Sequence, residues 1–245
     1  MAGHSHWANI QRTKSKEDAK RGKIFSKWAK LIMNAARNGG PDPDMNLPLR
    51  YAIERARADN MPKDSIERAI KKGAGELDGV RLEEVTYEAY GPNGVALVIE
   101  ALTDNRNRTA PDLRHILDRR GGSLGNSGSV LWMFERKAEF AVKRTGPAAD
   151  EDEFMLAALE YGADDVVTDD DEVIGVTAEP GRFIEIKKAL EEAGCELADA
   201  AIRYVPQNEV DLDAEATRKV IDLIEALEDN DDVQAVHHNA NFADE

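Results

Sequence analysis

The chain has a single cysteine, Cys195, among its 245 residues, and it lacks long apolar runs. One cysteine can form neither an internal disulfide nor, by itself, a zinc site. A membrane-spanning helix needs about 18–20 consecutive apolar residues, and no stretch approaches that length. The N-terminal residues include charge but no apolar segment, so we expect no secretory signal. These features predict a cytoplasmic protein without membrane contact, in which Cys195 is a buried structural thiol.

Motifs of the common enzyme classes are also missing. The sequence shows no Ser-His-Asp order, no Cys-His pair and no zinc-ligand spacing. The glycine-rich stretch Gly121–Ser129 is not a P-loop, because no Gly-Lys-Ser/Thr follows, and it leads into a predicted strand, unlike a dinucleotide fingerprint. The acidic runs at 164–165 and 169–172 lack the spacing of a calcium loop and are expected to form a solvated hairpin. We therefore expect a non-enzymatic protein with no cofactor, no bound metal and no small-molecule substrate.

Charge of one sign dominates, since the formal net charge is −16. Its distribution is uneven: residues 1–80 carry 16 Lys/Arg against 10 Asp/Glu, a net of +6, and residues 81–135 carry a net of −2. Residues 136–204 and 205–245 each carry a net of −10. A basic head on an acidic body indicates that one end meets a polyanion while the remainder does not.

Helical periodicity fills the basic head after a polar N-terminal arm, which we expect to be flexible. The first helix is predicted over residues 17–38, and two shorter helices follow Asn46 and Pro62. Gly39–Gly40–Pro41 ends the first helix, because glycine favours the C-cap and proline cannot continue a helix.

From Leu82 the pattern changes to strands and helices in alternation. Strands are predicted at 85–90, 95–102 and 130–134 with a helix at 109–120, and a further helix at 214–227 and strand at 233–237 complete that α+β unit. The stretch between them follows the order strand, helix, strand, strand, helix, strand of a ferredoxin-like unit. The predicted fold class is α+β, with an N-terminal helical domain plus two ferredoxin-like α+β domains, one inserted in the other. Its domain bounds are 1–80 for the helical domain, 81–135 plus 205–238 for the outer α+β domain, and 136–204 for the inserted one.

The first predicted helix carries the clearest functional signal, a basic face formed by Lys16, Lys20, Lys23, Lys27, Lys30 and Arg37. The spacing puts these residues on one stripe about 30 Å long, away from the apolar stripe around Ile24 and Trp28. Such a stripe can follow the phosphates of a nucleic acid; the alternative is a solvated helix face. Arg12 and Lys14 in the arm and Arg21 in the helix extend the predicted binding set.

A second candidate contact surrounds the next basic cluster. Arg106 and Arg108 are predicted on a loop at a helix N-terminus, where backbone amides already favour anions. Arg119 and Arg120 precede the glycine-rich stretch, which could approach phosphate closely or form a structural turn. Trp7 in the arm could stack on a base, or it could anchor the arm to the body.

Several long blocks of the chain resemble one known family, the YebC family, at its N-terminus, centre and C-terminus. They are Ala2–Ile10, Asp18–Phe25, Tyr87–Pro92, Leu102–Thr109, Gly162–Val167 and Ala226–Gln234. The resemblance implies a helical first domain and two α+β domains, one inserted in the other. The sequence departs from the commonest arm of the family at Gln11–Thr13, where many members carry further basic residues.

The resemblance implies two roles and does not choose between them. Bacterial members are usually called DNA-binding transcriptional regulators. Others, including a mitochondrial relative that activates translation, are linked to the ribosome and to relief of stalling at proline runs. The charge map favours a ribosomal RNA partner over promoter DNA, because an acidic body can face basic ribosomal proteins. The alternative remains a transcriptional regulator, which would need a recognition helix.

Overall fold

The computed structural model describes Trp7 and residues 21–75 and 81–243. It begins with the helices α1 (Arg21–Gly39), α2 (Leu47–Ala58) and α3 (Lys63–Gly73). Asn46 is the N-cap of α2, with its side chain accepting a hydrogen bond from the amide of Leu49, and Pro48 lies in the first turn. Gly40, at φ +90°, follows the last residue of α1, as the predicted glycine stop requires.

The three helices share one apolar core. Ile32 of α1, Leu49 and Ile53 of α2 and Ile66 of α3 are buried in it, and Trp28 packs against its edge. Close helix contact is visible at Gly73, where an added Cβ would lie 2.8 Å from Cβ of Ala36. The predicted N-terminal helices are thus confirmed.

A four-stranded sheet follows, in the strand order β3-β1-β2-β9. Both pairings of β1 are antiparallel, to β2 and to β3. Its elements are β1 (Glu83–Tyr90), β2 (Ala96–Thr103), α4 (Arg106–Arg119), β3 (Ser123–Leu124) and, from the far end of the chain, β9 (Val233–His238).

The second four-stranded sheet has the order β5-β6-β4-β7. The neighbours pair antiparallel, with Phe140 opposite both Val176 and Ala200. Phe140 also stacks on Phe183 of a helix at 5.3 Å between ring centroids, so its side of the sheet faces the helices. Its elements are β4 (Phe134–Lys143), α5 (Glu151–Glu160), β5 (Asp165–Val167), β6 (Val173–Ala178), α6 (Phe183–Glu192) and β7 (Leu197–Pro206).

The chain ends with β8 (Val210–Asp211), α7 (Ala214–Glu228), β9 and β10 (Ala240–Asn241), of which β8 and β10 pair in parallel. It divides into two compact units. The first unit contains residues 21–75, 81–130 and 219–236, and the second contains Trp7 and residues 131–218 and 237–243. The α+β class is confirmed, and the domain bounds set from the sequence stay a prediction.

Two predicted elements differ from the structure. The strand predicted at 130–134 is wrong: Leu131–Met133 make a turn of 3-10 helix and Phe134 already begins β4. The strand that pairs with β1 in the first sheet is instead the two-residue β3. The helix predicted at 109–120 begins at Arg106, because Asn105 caps it. Cys195 is buried as predicted, and burial raises the pKa of its thiol.

Candidate nucleic-acid interface

The predicted basic face is only partly within the described residues. Arg12, Lys14, Lys16 and Lys20 lie outside them, as does the side chain of Arg21. Lys23, Lys27 and Lys30, hereafter the lysine row, lie on α1 at spacings of four and three residues. One side of α1 is held in the core, and Trp28 Nε1 donates to Asp59 Oδ2 at 2.6 Å.

The lysine row contacts the end of α7 and the residues that follow it. We call Glu228–Asp232 the acidic turn. Lys27 Nζ donates to the carbonyl oxygen of Glu228 at 2.9 Å, and Lys30 Nζ donates to that of Asp231 at 2.7 Å. Lys23 Nζ lies 3.4 Å from both the carbonyl oxygen and Oδ1 of Asp229. The final carbonyls of a helix lack intrahelical donors and carry the negative end of the helix dipole, so lysines stabilise them.

Neither of the two sequence interpretations anticipates these contacts. The row is not simply a solvated face, because each lysine reaches an oxygen of the acidic turn. The row is also not fully accessible to phosphate: the side chain of Lys30 is 25% exposed and that of Lys23 is 49% exposed. A nucleic-acid role for the row stays a prediction, and it requires these internal contacts to be exchanged.

Asp232 is the centre of a buried polar cluster at the end of the acidic turn. Its side chain is 8% exposed, and Oδ2 accepts hydrogen bonds from Arg108 at 2.7 Å and from the hydroxyl of Thr109 at 2.8 Å. Lys30 Nζ lies 3.3 Å from Oδ1. Burial by itself raises the pKa of Asp232, but the hydrogen bonds from Arg108, Thr109 and Lys30 outweigh it and hold the pKa below its usual range. Asp232 is therefore an ionised anchor for α1 and α4.

Arg106 and Arg108 lie in the first turn of α4, not on a loop. The side chain of Asn105 accepts from the amide of Arg108 at 3.2 Å, which fixes this start. Arg108 faces Asp232 and Asp104, and the hydrogen bond to Asp232 raises its pKa. Arg106 is 61% exposed, with Nε 3.9 Å from a carboxylate oxygen of Glu83. Of the two, Arg106 is the more accessible to an anion.

The glycine-rich stretch is organised by a buried carboxylate. Glu88 of β1 is 5% exposed, and its two carboxylate oxygens accept from the amides of Gly128 at 2.5 Å and Val130 at 2.7 Å. Tyr90 donates from its hydroxyl to the carbonyl oxygen of Ser129. The chain's own carboxylate thus occupies amides that a phosphate would use, which supports a structural turn.

The remaining predicted residues are dispersed. Arg119 is exposed at the end of α4, and Arg120 Nε donates to Asp222 Oδ2 at 2.9 Å. Trp7 belongs to the second unit, where it is half-buried and lines a cavity of about 530 Å³ together with Glu139, Gly175 and Arg203. The structure brings together Lys30 and Arg108 but not these outlying residues.

The acidic turn is the partner of the lysine row that sequence reasoning missed. Its lysine partners lie about two hundred residues earlier in the chain, with a separation of 201 for Lys27 and Glu228. The only signal was chemical: four carboxylates in five residues at a helix end, and a lysine stripe elsewhere. Within the described ranges, no group of three or more His, Cys, Asp or Glu residues could hold a metal ion. Likewise, none of the helices described is long and apolar enough to cross a membrane.

Comparison with known proteins identifies the family to which the chain is similar. Residues 5–76 match the TACO1/YebC protein N-terminal domain, and residues 82–240 match the TACO1/YebC second and third domain. A "Probable transcriptional regulatory protein" of Halothermothrix orenii is 54% identical, with 100% of this chain and 97% of that protein covered. Another protein of that description, from Thermoanaerobacter pseudethanolicus, is 51% identical over 100% of this chain and 99% of its own length.

A solved structure agrees with this assignment. The crystal structure of a conserved hypothetical protein from Aquifex aeolicus superposes with a TM-score of 0.83 at 47% sequence identity, covering 98% of each chain. Similarity at this level spans the helices and both sheets. The chain belongs to the TACO1/YebC family.

Proposed function

We propose that this protein is a non-enzymatic, nucleic-acid-binding regulator of gene expression that acts on the ribosome by contacting ribosomal RNA and easing elongation, as at proline runs. The observation that carries the proposal is the charge separation, a net of +6 over residues 1–80 against −10 over each of 136–204 and 205–245. Phosphate attracts the head, and the acidic body is suited to basic ribosomal proteins.

The accessible cations of the first unit support this proposal. Beyond the lysine row, exposed basic side chains lie on all three helices and on α4: Arg37, Arg57, Lys63, Arg68, Lys71 and Arg106. They are spread over four helices, whereas base readout in a major groove would place the contacting side chains on one recognition helix. A dispersed basic surface suits the backbone of a folded RNA, which proteins recognise largely by shape and phosphate contacts.

The second candidate is a DNA-binding transcriptional regulator. The names of the relatives from H. orenii and T. pseudethanolicus favour it. The third helix of the head, α3, exposes Arg68 and Lys71 while Ile66 and Ala69 are buried. That side of α3 would be the recognition surface.

We also propose a cytoplasmic location and the inserted-domain arrangement predicted above. The insertion is supported by the first sheet, in which β9 from the C-terminal part neighbours β2. The segment between them carries its own sheet, β5-β6-β4-β7.

The first experiment is sedimentation of the tagged full-length protein from lysate on sucrose gradients, with and without ribonuclease, at low and high salt. Co-migration with ribosomal particles that is lost at high salt supports the translational role. An Arg68→Ala/Lys71→Ala variant separates the candidates: loss of retention on promoter DNA, with ribosomal co-migration unchanged in both proteins, assigns α3 to DNA. Migration as a free small species together with specific retention on promoter DNA overturns the ribosomal proposal.

A further inference from the structure

The contacts between the lysine row and the acidic turn make an anion-binding surface that is already occupied. Each of the three lysines meets main-chain or carboxylate oxygens of a turn that carries four carboxylates, those of Glu228, Asp229, Asp231 and Asp232. These oxygens present to α1 what a phosphodiester chain would present: closely spaced acceptors with negative charge. The same lysines cannot serve both partners at once.

We propose that the acidic turn is a built-in competitor of nucleic acid for the lysine row, so that phosphate binding displaces it. The inference rests on the proposed nucleic-acid-binding function and adds regulation of that same surface. The ligand class is a phosphodiester backbone. The affinity for nucleic acid then depends on the exchange of oxygens of the acidic turn for phosphate oxygens, and not on the lysines alone.

The contacts between the lysine row and the acidic turn differ in their exposure to solvent. This difference determines where displacement of the acidic turn begins. The outer pair is exposed, with the side chains of Lys23 and Asp229 49% and 51% exposed, and such pairs are weakly held and screened by salt. The inner pair, Lys30 and Asp232, is less exposed: the side chain of Asp232 is 8% exposed and also accepts hydrogen bonds from Arg108 and Thr109. Phosphates therefore replace the acidic turn first at Lys23, while Asp232 keeps α4 and the turn attached.

The geometry of α1 suits this exchange. Spacings of four and three residues set the three lysines about 6 Å and about 4.5 Å apart along the helix axis. Lysine ammonium groups end flexible stems, so they can turn from a carbonyl oxygen to a phosphate without movement of the helix. The apolar side of α1 stays in the core throughout.

The test compares two double variants of the full chain that remove the same charge. Asp229→Asn/Asp231→Asn removes two exposed carboxylates of the acidic turn and so weakens its negative charge, whereas Asp118→Asn/Asp171→Asn removes two exposed carboxylates that are not part of it. Each protein is titrated with a fluorescein-labelled oligouridylate of about 20 nucleotides by anisotropy at low salt. We expect the first variant to bind roughly threefold to tenfold more tightly than wild type, and the control to stay within about twofold.

Hydrogen exchange supplies the second readout. In the unbound protein the amides of Asp229 and Asn230 donate to the carbonyl oxygens of Glu225 and Leu227. Addition of oligouridylate should speed exchange at these two amides, because the lysines that stabilise the end of α7 leave it. Wild-type binding with no gain in the first variant over the control, and no change in exchange, overturns the inference and leaves the proposed function intact. Failure of every protein to bind the oligouridylate or ribosomal particles overturns the proposed function, and the inference with it.

Discussion

At the scale of single residues, Asp232 shows how a buried carboxylate can stay charged. It accepts from two hydroxyls and two cationic side chains: Thr103, Thr109, Arg108 and Lys30. Its main-chain carbonyl also accepts from the amide of Leu102 in β2. One aspartate therefore joins the first helix, the first sheet and α4.

Replacement of Asp232 by asparagine should destabilise the protein by about 2–3 kcal/mol at neutral pH, because an amide cannot match the charged hydrogen bonds. The pKa of Asp232 is lowered in the folded state, so its contribution is present above its unfolded pKa of about 4 and is lost as pH falls through the lower folded value. Urea denaturation of wild type and variant at pH 7, 5 and 3 checks this. A stability difference that fails to shrink toward pH 3 would contradict the assignment.

Trp7 is a second residue whose role can be measured. Its half-buried indole lines the cavity beside β4, β6 and β7, which favours the anchoring interpretation over base stacking. Trp7→Ala should then cost roughly 1–2 kcal/mol of stability, since a large apolar side chain loses part of its buried area.

Urea denaturation and RNA titration of the same Trp7→Ala protein separate the two interpretations. A base-stacking residue would leave stability unchanged and weaken RNA binding, by about 1–3 kcal/mol per stacked base. Trp132→Ala is the matched control, because that indole is 65% exposed.

At the scale of elements, the packing of α3 on α1 depends on a glycine. A Cβ at Gly73 would collide with the main-chain carbonyl of Met33, and backbone cannot give way as a side chain can. Gly73→Ala should therefore destabilise the first unit by about 1–3 kcal/mol. Gly22→Ala is the control: it has open space, and alanine favours the helix, so it should be neutral or stabilising. Thermal unfolding of both variants measures the contrast, and equal melting temperatures would refute it.

Local signals predicted most elements but misplaced some of their ends. The predicted start of α4 at residue 109 is three residues late, because the side chain of Asn105 caps the helix and Pro111 lies inside it. The apolar run 130–134 was read as a strand. Instead Val130 ends the glycine-rich stretch by donating to Glu88, and Trp132 turns outward. The first difference comes from a local cap, and the second comes from a tertiary partner, Glu88, that overrides local preference.

At the scale of the whole molecule, charge should govern nucleic-acid binding. A protein of net charge −16 binds a polyanion only through a local concentration of cations. If roughly five to seven phosphates are neutralised, the logarithm of the binding constant should fall with the logarithm of salt at a slope of about −4 to −6 for RNA or DNA. Titrations at several salt concentrations give the slope, and a value near zero would show that phosphate contacts do not dominate.

The candidate site was predictable only in part, because it depends on a contact between segments that are far apart in the sequence. The sequence placed lysines on one face of a helix, because helical periodicity is local. It could not reveal that the face meets a turn some 200 residues later, because that contact depends on how α7 packs in the first unit. A triple reversal of Lys20, Lys23 and Lys27 to glutamate would therefore disturb folding as well as binding, since two of them contact the acidic turn.

The cluster around Asp232 also constrains how the family can diverge. Lys30, Arg108 and Thr109 each direct a donor at one carboxylate. Loss of either cation alters the charge balance in a buried place, and loss of Thr109 removes a hydrogen bond to the same carboxylate. We expect these positions to be exchanged together across relatives, as a correlated set that links the start of the chain to its end. A lineage that has lost the aspartate should also have replaced the arginine and the lysine.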